Sequence, residues 1–297
     1  MEYIQLFLSF RCNQACDFCF NRGIVENTAM SLLDFKILTS KLRAAGIKEI
    51  DILGGEPLLH EEIIPILETA LDNFDSVFIS TNGTNIDLML KLKKFLLQTK
   101  IGISLNSEPE KDLREFIISN RPLLKSIASR KALIPFWAWD FIKRGFPYYI
   151  IFRDILHPAE LKDSMPFYKF LDGIDKWSKI YPELRPVYCS GFISGEAQWR
   201  CPAGSTKLSI MPDGSVFPCY LFFKFSEFRL GNIFDSELEE ILRNPILDFF
   251  KRQTTNKCDI KSCHVKALCN GGCPAVSYSI YRELTRPDPR CEDVRDN

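Results

Sequence analysis

The chain has 297 residues, 46% of them hydrophobic, and its 38 Lys and Arg balance its 38 Asp and Glu. That is enough apolar material for one large core, or for a large domain with a small one, and zero net charge gives no reason to expect nucleic acid as a partner. The opening MEYIQLFLSF lacks a basic region and reads as a buried strand rather than a signal peptide. No apolar run approaches the roughly 20 residues that span a bilayer, so the expectation is a soluble cytoplasmic protein away from membranes.

In chain order, Tyr3–Ser9 reads as the first strand. Ser31 can cap a helix that carries Asp34 three residues on and Leu38, Leu42 and Ala45 on one face, and Gly46 stops it. Glu49–Leu53 is the next strand, Glu61–Asn73 a helix, Val77–Ser80 a strand, Asp87–Leu97 a helix and Ile101–Leu105 a fourth strand. Repeated βα units imply a parallel sheet with right-handed crossovers. Further on, EKDLREFIISNRPLLKSIASR reads as helical around its proline. Tyr148–Arg153 is taken as a fifth strand and Leu184–Tyr188 as a sixth. The aromatics Phe136, Trp137, Trp139, Phe141, Phe146, Tyr148 and Tyr149 read as core and helix packing, with a substrate-facing wall as the alternative. KLSIM-PDGS-VFPC has the pattern of a hairpin with Pro212, Asp213 and Gly214 in its turn. Ser236 with Glu239 reads as a capping box for the helix that follows.

The cysteines are the informative residues. There are eleven, an odd number without a secretion signal, which points away from disulfides and toward metal. Three fall within residues 12 to 19, none between 20 and 188, and eight from Cys189 onward. In parallel α/β barrels, chemistry collects at the C-terminal ends of the strands. Here CNQACDFC follows the first strand, GGEP (Gly54 to Pro57) the second and STNGT (Ser80 to Thr84) the third, and Ser104 closes the fourth. These loops are expected to share one rim.

Cys12, Cys16 and Cys19 have the spacing C-x3-C-x2-C. Three thiolates on a [4Fe–4S] cubane leave one iron without a protein ligand. That iron can take the amino and carboxylate groups of a methionine moiety as a chelate, which S-adenosyl-L-methionine offers. With Phe18 before the third cysteine, the loop resembles that of the radical S-adenosylmethionine (radical SAM) superfamily. The GGEP motif one βα unit later also resembles that family. The resemblance implies a partial (β/α)6 TIM-like barrel and reductive cleavage of S-adenosyl-L-methionine to a 5′-deoxyadenosyl radical. It further implies cofactor contacts from Phe18, from Gly54, Gly55, Glu56 and Pro57, from Thr81 and Asn82, from Ser104 at the ribose and from Arg153 at the carboxylate. Physically, the two glycines let backbone approach a ligand, and Glu56 offers charge to an ammonium.

The later cysteines resemble the SPASM iron–sulfur extension, a small C-terminal β-hairpin and helix domain. Cys201 is followed by twelve residues, Gly214, four residues and Cys219, and then come Cys263-x5-Cys269-x3-Cys273 and Cys291. Cys258 and Cys263 stand four residues apart where the family usually has two. Carried over by motif, one auxiliary cluster would use Cys201, Cys219 and Cys273, with Cys189 as a possible fourth ligand. The other would use Cys258, Cys263, Cys269 and Cys291. Together with the N-terminal loop these sets use all eleven cysteines. Four-thiolate zinc is the rival chemistry for this region. The expected domains are 1–188 for the barrel and 189–297 for the extension. His60, His157 and His264 are read as caps, surface contacts or core hydrogen-bonding groups.

Relatives with both modules often mature peptides or proteins, and this is the first expectation for function. Radical modification of a small metabolite or cofactor precursor is the second, and a non-catalytic iron–sulfur electron carrier is the third, from another class. Sulfatase maturation is disfavoured because Tyr220 stands where those enzymes carry an acid. The first strand begins at residue 3, so a separate leader-peptide-binding protein is an expected partner, beside a flavodoxin- or ferredoxin-type reductant.

Overall fold

The computed structural model describes residues 1–24, 28–92, 95, 99–193, 201–251, 258–261 and 263–291. The elements run β1 (Tyr3–Phe7), α1 (Leu32–Ala44), β2 (Glu49–Leu53), α2 (Ile63–Asn73), β3 (Ser76–Thr81), α3 (Ile86–Leu92), β4 (Thr99–Ser104) and α4 (Lys111–Asn120). Then follow β5 (Leu123–Ala128), α5 (Ala138–Lys143), β6 (Tyr148–Phe152), α6 (Phe167–Ser178) and β7 (Leu184–Val187). The last third holds β8 (Lys207–Ile210), β9 (Ser215–Phe217), β10 (Gly231–Asn232), α7 (Leu238–Ile241), α8 (Leu247–Lys251) and α9 (Pro274–Tyr281). The fold class is α/β: a parallel sheet with helical crossovers, followed by a short antiparallel region.

The chain divides into two compact units that do not follow sequence order. The first comprises 1–104, 110–122 and 203–251. In it β1 pairs in parallel with both β2 and β8, and β2, β3 and β4 continue the parallel sheet. β9 and β10 extend the other side antiparallel. β1 has paired neighbours on both edges; Ile4, Leu6 and Phe7 on its two faces are fully buried, and its one buried polar residue, Gln5, accepts the Ser209 hydroxyl at 3.0 Å. The Ser31–Asp34 capping box forms as expected, and α1 turns Phe35, Leu38 and Leu42 inward. Residues 93, 94, 96 and 97 of the expected third helix lie outside the described residues.

The second unit comprises 105–109, 123–202 and 252–297. Its strands β5, β6 and β7 are parallel. Its core is aromatic: Phe167 stacks on Phe192 at 3.9 Å, and Phe152 meets Phe167, Phe170 and Phe192 at 5.0–5.4 Å.

Three expectations need correction. The segment read as helical around its proline is a helix and then a strand. Arg121 adopts a left-handed conformation (φ 46°) that ends α4, Pro122 cannot continue it, and LLKSIA alternates half-buried and buried residues as β5. Tyr148–Phe152 is therefore the sixth strand and Leu184–Val187 the seventh. Ser236 does not cap α7, whose N-cap is Glu237 without a side-chain cap bond.

Candidate active site and cysteine clusters

The loops after β1, β2 and β3 meet in the first unit. Backbone pairing between β1 and β2 continues past the strand ends: Gly55 N–H donates to Ser9 O at 2.8 Å and Glu56 N–H to Arg11 O at 2.7 Å. This carries the GGEP turn to the residue beside Cys12. A Cβ on Gly55 would collide with the carbonyl oxygens of Phe10 and Arg11, so only glycine allows the approach. Pro57 then opens a short 3-10 turn, Pro57–Leu59, for which Glu56 is the cap.

Glu56 is 1% exposed, and its carboxylate is turned inward. It accepts the Thr81 hydroxyl at 2.6 Å, Leu58 N–H at 3.0 Å and Asn82 N–H at 2.6 Å. Burial pushes its pKa up, and the three donors oppose that shift. The side chain fastens GGEP to the end of β3.

Asn82 passes this contact on to the cysteine loop. Its amide donates to Asn13 Oδ1 at 2.9 Å and lies 3.9 Å from Cys12 Sγ. Thr84 Oγ1 donates to Asn82 Oδ1 at 2.7 Å and accepts from Asn13 Nδ2 at 2.7 Å, closing a ring of three side chains. Gln14 N–H points at Cys12 Sγ (3.4 Å), and the Cys16 thiol points at Gln14 Oε1 (3.6 Å). Asn21 Nδ2 donates to Gly54 O at 2.9 Å, while its buried Oδ1 has no hydrogen-bond partner among the described residues. Cys12 is exposed, and Cys16, Phe18 and Cys19 are half-buried. Burial raises the Cys19 pKa, against a backbone hydrogen bond at Asn21 and the Lys224 ammonium, which donates to Arg22 O at 3.0 Å. Phe20 packs on Tyr220 at 4.6 Å and on Phe7 at 5.8 Å, so an aromatic wall backs the loop.

Asn13, Asn21, Thr84 and Tyr220 were not among the expected site residues. The one signal for the asparagines is position: each lies within two residues of a cysteine and carries both a donor and an acceptor. Ser104 ends β4, half-buried. Arg153, in the second unit, is buried with its guanidinium 3.9 Å from Asp163.

The eight later cysteines divide between the units. Cys219 is buried in the first, directly after β9. In the second, Cys189 Sγ lies 3.9 Å from Cys201 Sγ and also hydrogen-bonds Cys273, and this thiol contact is the largest cause raising the Cys273 pKa, ahead of burial. Cys258, Cys263, Cys269 and Cys291 line one narrow pocket with Phe167, Tyr168, Ile260, Val265 and Lys266. Burial raises the pKa of Cys269 and of Cys291. Among the described residues no three His, Cys, Asp or Glu side chains close on a point where a single metal ion would hold them. A cluster spreads its thiolates around four irons, a wider cage than the zinc tetrahedron.

The histidines are structural. His60 Nε2 bonds Met30 O, His157 caps the turn Pro158–Asp163, and His264 pairs with Asp172 at 3.0 Å. Of the aromatics after β5, Phe141, Phe146 and Tyr148 are core, whereas Phe136 is 70% exposed. Among the described residues no helix is long and apolar enough to cross a membrane.

Three thiols at the end of a first parallel strand, clasped by a Gly-Gly-Glu-Pro turn, define an iron–sulfur α/β partial-barrel protein. Residues 6–136 match the Radical SAM superfamily, and residues 201–271 match the SPASM iron–sulfur cluster-binding domain. The chain belongs to the radical SAM superfamily and carries a C-terminal SPASM domain. It is 28% identical to the antilisterial bacteriocin subtilosin biosynthesis protein AlbA of Bacillus subtilis (strain 168), over 90% of this chain and 65% of that protein. It is 37% identical over 114 residues to the GTP 3′,8-cyclase of Clostridium acetobutylicum, which covers 36% of this chain and 35% of that one. The chain thus spans less than two thirds of either relative. Its fold matches the crystal structure of Streptococcus suis SuiB bound to S-adenosylmethionine with a TM-score of 0.74 at 16% identity, over 98% of this chain and 77% of SuiB. SuiB is also known in complex with its precursor peptide SuiA.

The cofactors of these modules are a [4Fe–4S] cluster with S-adenosyl-L-methionine, and further iron–sulfur clusters in the SPASM domain. The residues present fit them. The rim supplies three thiols, a glycine turn packed directly against the backbone that leads into Cys12, and at Asn21 a buried acceptor without a hydrogen-bond partner among the described residues.

Proposed function

We propose that the chain is a radical SAM maturase that modifies a side chain of a ribosomally made peptide, with Cys12, Cys16 and Cys19 as the ligands of the radical-generating cluster. The observation that carries the substrate class is the AlbA similarity, which runs over 90% of this chain and so takes in both modules. The cyclase similarity spans 36% of the chain, which supports a shared module and not a nucleotide substrate.

When bound, the cluster and S-adenosylmethionine supply one-electron cleavage of the sulfonium and removal of a hydrogen atom from substrate carbon. The chain's own residues prepare the place. Glu56 holds the GGEP turn against β3, and Asn82 and Asn13 hold the loop at Cys12. Asn21 anchors the far side of the loop to Gly54, and Phe7, Phe20 and Tyr220 keep water from its back. Gly54, Gly55 and Pro57 offer backbone to the cofactor's amino group, Thr81 and Asn82 shape the floor, Ser104 serves the ribose, and Arg153 the carboxylate.

For the SPASM clusters, Cys258, Cys263, Cys269 and Cys291 form one ligand set, supported by their common pocket. Cys189 joins Cys201, Cys219 and Cys273 in the other, supported by its contacts with Cys201 and Cys273. Fully thiolate-bound clusters suit electron transfer. A flavodoxin- or ferredoxin-type protein delivers the electron, and a separate leader-binding protein presents the peptide.

Anaerobic incubation with dithionite, S-adenosylmethionine and candidate precursor peptides tests this. The expected result is 5′-deoxyadenosine together with a peptide mass change. Absence of 5′-deoxyadenosine would sink the enzyme reading in favour of an electron carrier. Its formation with deuterium transferred from a small metabolite instead of a peptide would favour the second substrate class.

A further inference from the structure

Arg290 is among the largest fully buried side chains of the protein. It is held on every side. Nε and Nη2 form a bidentate pair with the two oxygens of Asp288 at 2.9 and 2.8 Å. Nη1 donates to Arg153 O at 2.6 Å, just past the end of β6, and to Asp154 Oδ1 at 3.3 Å. The guanidinium lies over the rings of Phe152 at 4.6 Å and Phe192 at 5.3 Å. Burying a charge is costly unless it is paired in this way, and replacing such an arrangement with apolar packing is often neutral or stabilising. Stability alone is a weak account of it.

Its position suggests another. Asp288 accepts the backbone N–H of Cys273 on its carboxylate at 2.9 Å, and its backbone carbonyl accepts Cys291 N–H at 3.2 Å. A Cβ on Gly272 would strike the Asp288 Cβ, so the Gly271–Gly272–Cys273 turn is pressed onto the same residue. One buried ion pair therefore touches the backbone of a cysteine from each of the two SPASM ligand sets.

We propose that the Arg290–Asp288 pair sets the reduction potentials of the SPASM clusters, with the buried guanidinium stabilising their reduced states through Cys273 and Cys291. This rests on the ligand sets given above. On reduction a cluster takes up one electron, delivered in the test by dithionite, and becomes more negative by one charge. A fixed cation in a low-dielectric site favours that state and a fixed anion opposes it.

The experiment is an EPR-monitored redox titration of the reconstituted full chain, with iron counted per chain. R290Q removes the cation and leaves Asp288, so the SPASM signals should move to more negative potential while the signal perturbed by S-adenosylmethionine stays in place. D288N removes the nearer of the two carboxylates that pair with the cation and leaves Asp154, so the same signals should move to more positive potential. Opposite shifts are a signature of charge, since loosened packing would move both variants the same way. Shifts of one sign, or none, overturn the proposal. If R290Q fails to retain its iron, D288N alone decides, because absence of a positive shift overturns it. Wild-type protein holding iron only at the N-terminal cysteines would overturn the ligand sets themselves, an outcome the iron count separates from unshifted potentials.

Discussion

Glu56 and Asn82 are joined by a 2.6 Å hydrogen bond from the Asn82 backbone N–H to the buried Glu56 carboxylate, and through it the turn after β2 is tied to the end of β3. Three donors converge on that carboxylate, from Leu58, Thr81 and Asn82. Glu56→Ala would leave all three buried without their acceptor. Unsatisfied groups of this kind cost about 1–3 kcal/mol each, so a loss of roughly 3 kcal/mol or more is expected. Urea unfolding of the metal-free chain measures this, and a midpoint equal to wild type would show that the clasp is not structural.

Gly55→Ala probes the approach of the same turn to the cysteine loop. Its Cβ would meet two carbonyl oxygens, those of Phe10 and Arg11, and backbone cannot step aside as a flexible side chain would. The expected cost is about 1–3 kcal/mol, as for other overpacked sites. Binding of S-adenosylmethionine to the reconstituted protein should weaken more than tenfold, read by calorimetry. Undiminished affinity would place the cofactor away from this turn.

Much of this rim was legible in the sequence because it rests on local rules. The cysteine spacing, GGEP and STNGT each follow a strand whose apolar pattern is short and clear, and β2 runs over Glu49–Leu53 as expected. What the sequence hid is tertiary. Leu123–Ala128 belongs to the segment read as helical around its proline, yet it is a strand whose Ser126 is buried and bonds Leu105 O and the Tyr148 hydroxyl. The burial of the Glu56 carboxylate under Thr81 and Asn82 depends on residues 25 and 26 positions away. The Arg290 cage draws on Phe152, Asp154, Phe192 and Asp288, and no spacing rule connects those positions.

The division of the cysteines predicts an iron count. Three cubanes hold about twelve irons per chain. Replacing Cys12, Cys16 and Cys19 together by Ala should lower this to about eight and abolish formation of 5′-deoxyadenosine. Colorimetric iron analysis and chromatography of the reaction products measure the two effects separately. Retained cleavage of S-adenosylmethionine would overturn the assignment of the loop.

His60 gives the protein a defined response to acid. Nε2 bonds Met30 O at 3.0 Å and Nδ1 accepts Glu62 N–H at 3.2 Å, which fixes the neutral ring with its proton on Nε2. Burial lowers its pKa below the ordinary 6.5, against the raising influence of the Met30 carbonyl and the carboxylates of Glu62 and Glu61. Between those two values the unfolded chain binds the proton and the folded chain does not. Stability contributed by His60 is therefore complete above about pH 6.5 and falls as pH drops toward the native value. His60→Gln can keep both hydrogen bonds without titrating, its amide donating to Met30 O and its carbonyl accepting from Glu62. Urea midpoints of the metal-free chain at pH 7.5 and 5.5 should therefore fall further for wild type than for His60→Gln. Equal falls would mean that His60 is protonated in the folded state as readily as in the unfolded one, and that the hydrogen bond from Glu62 does not hold the ring neutral.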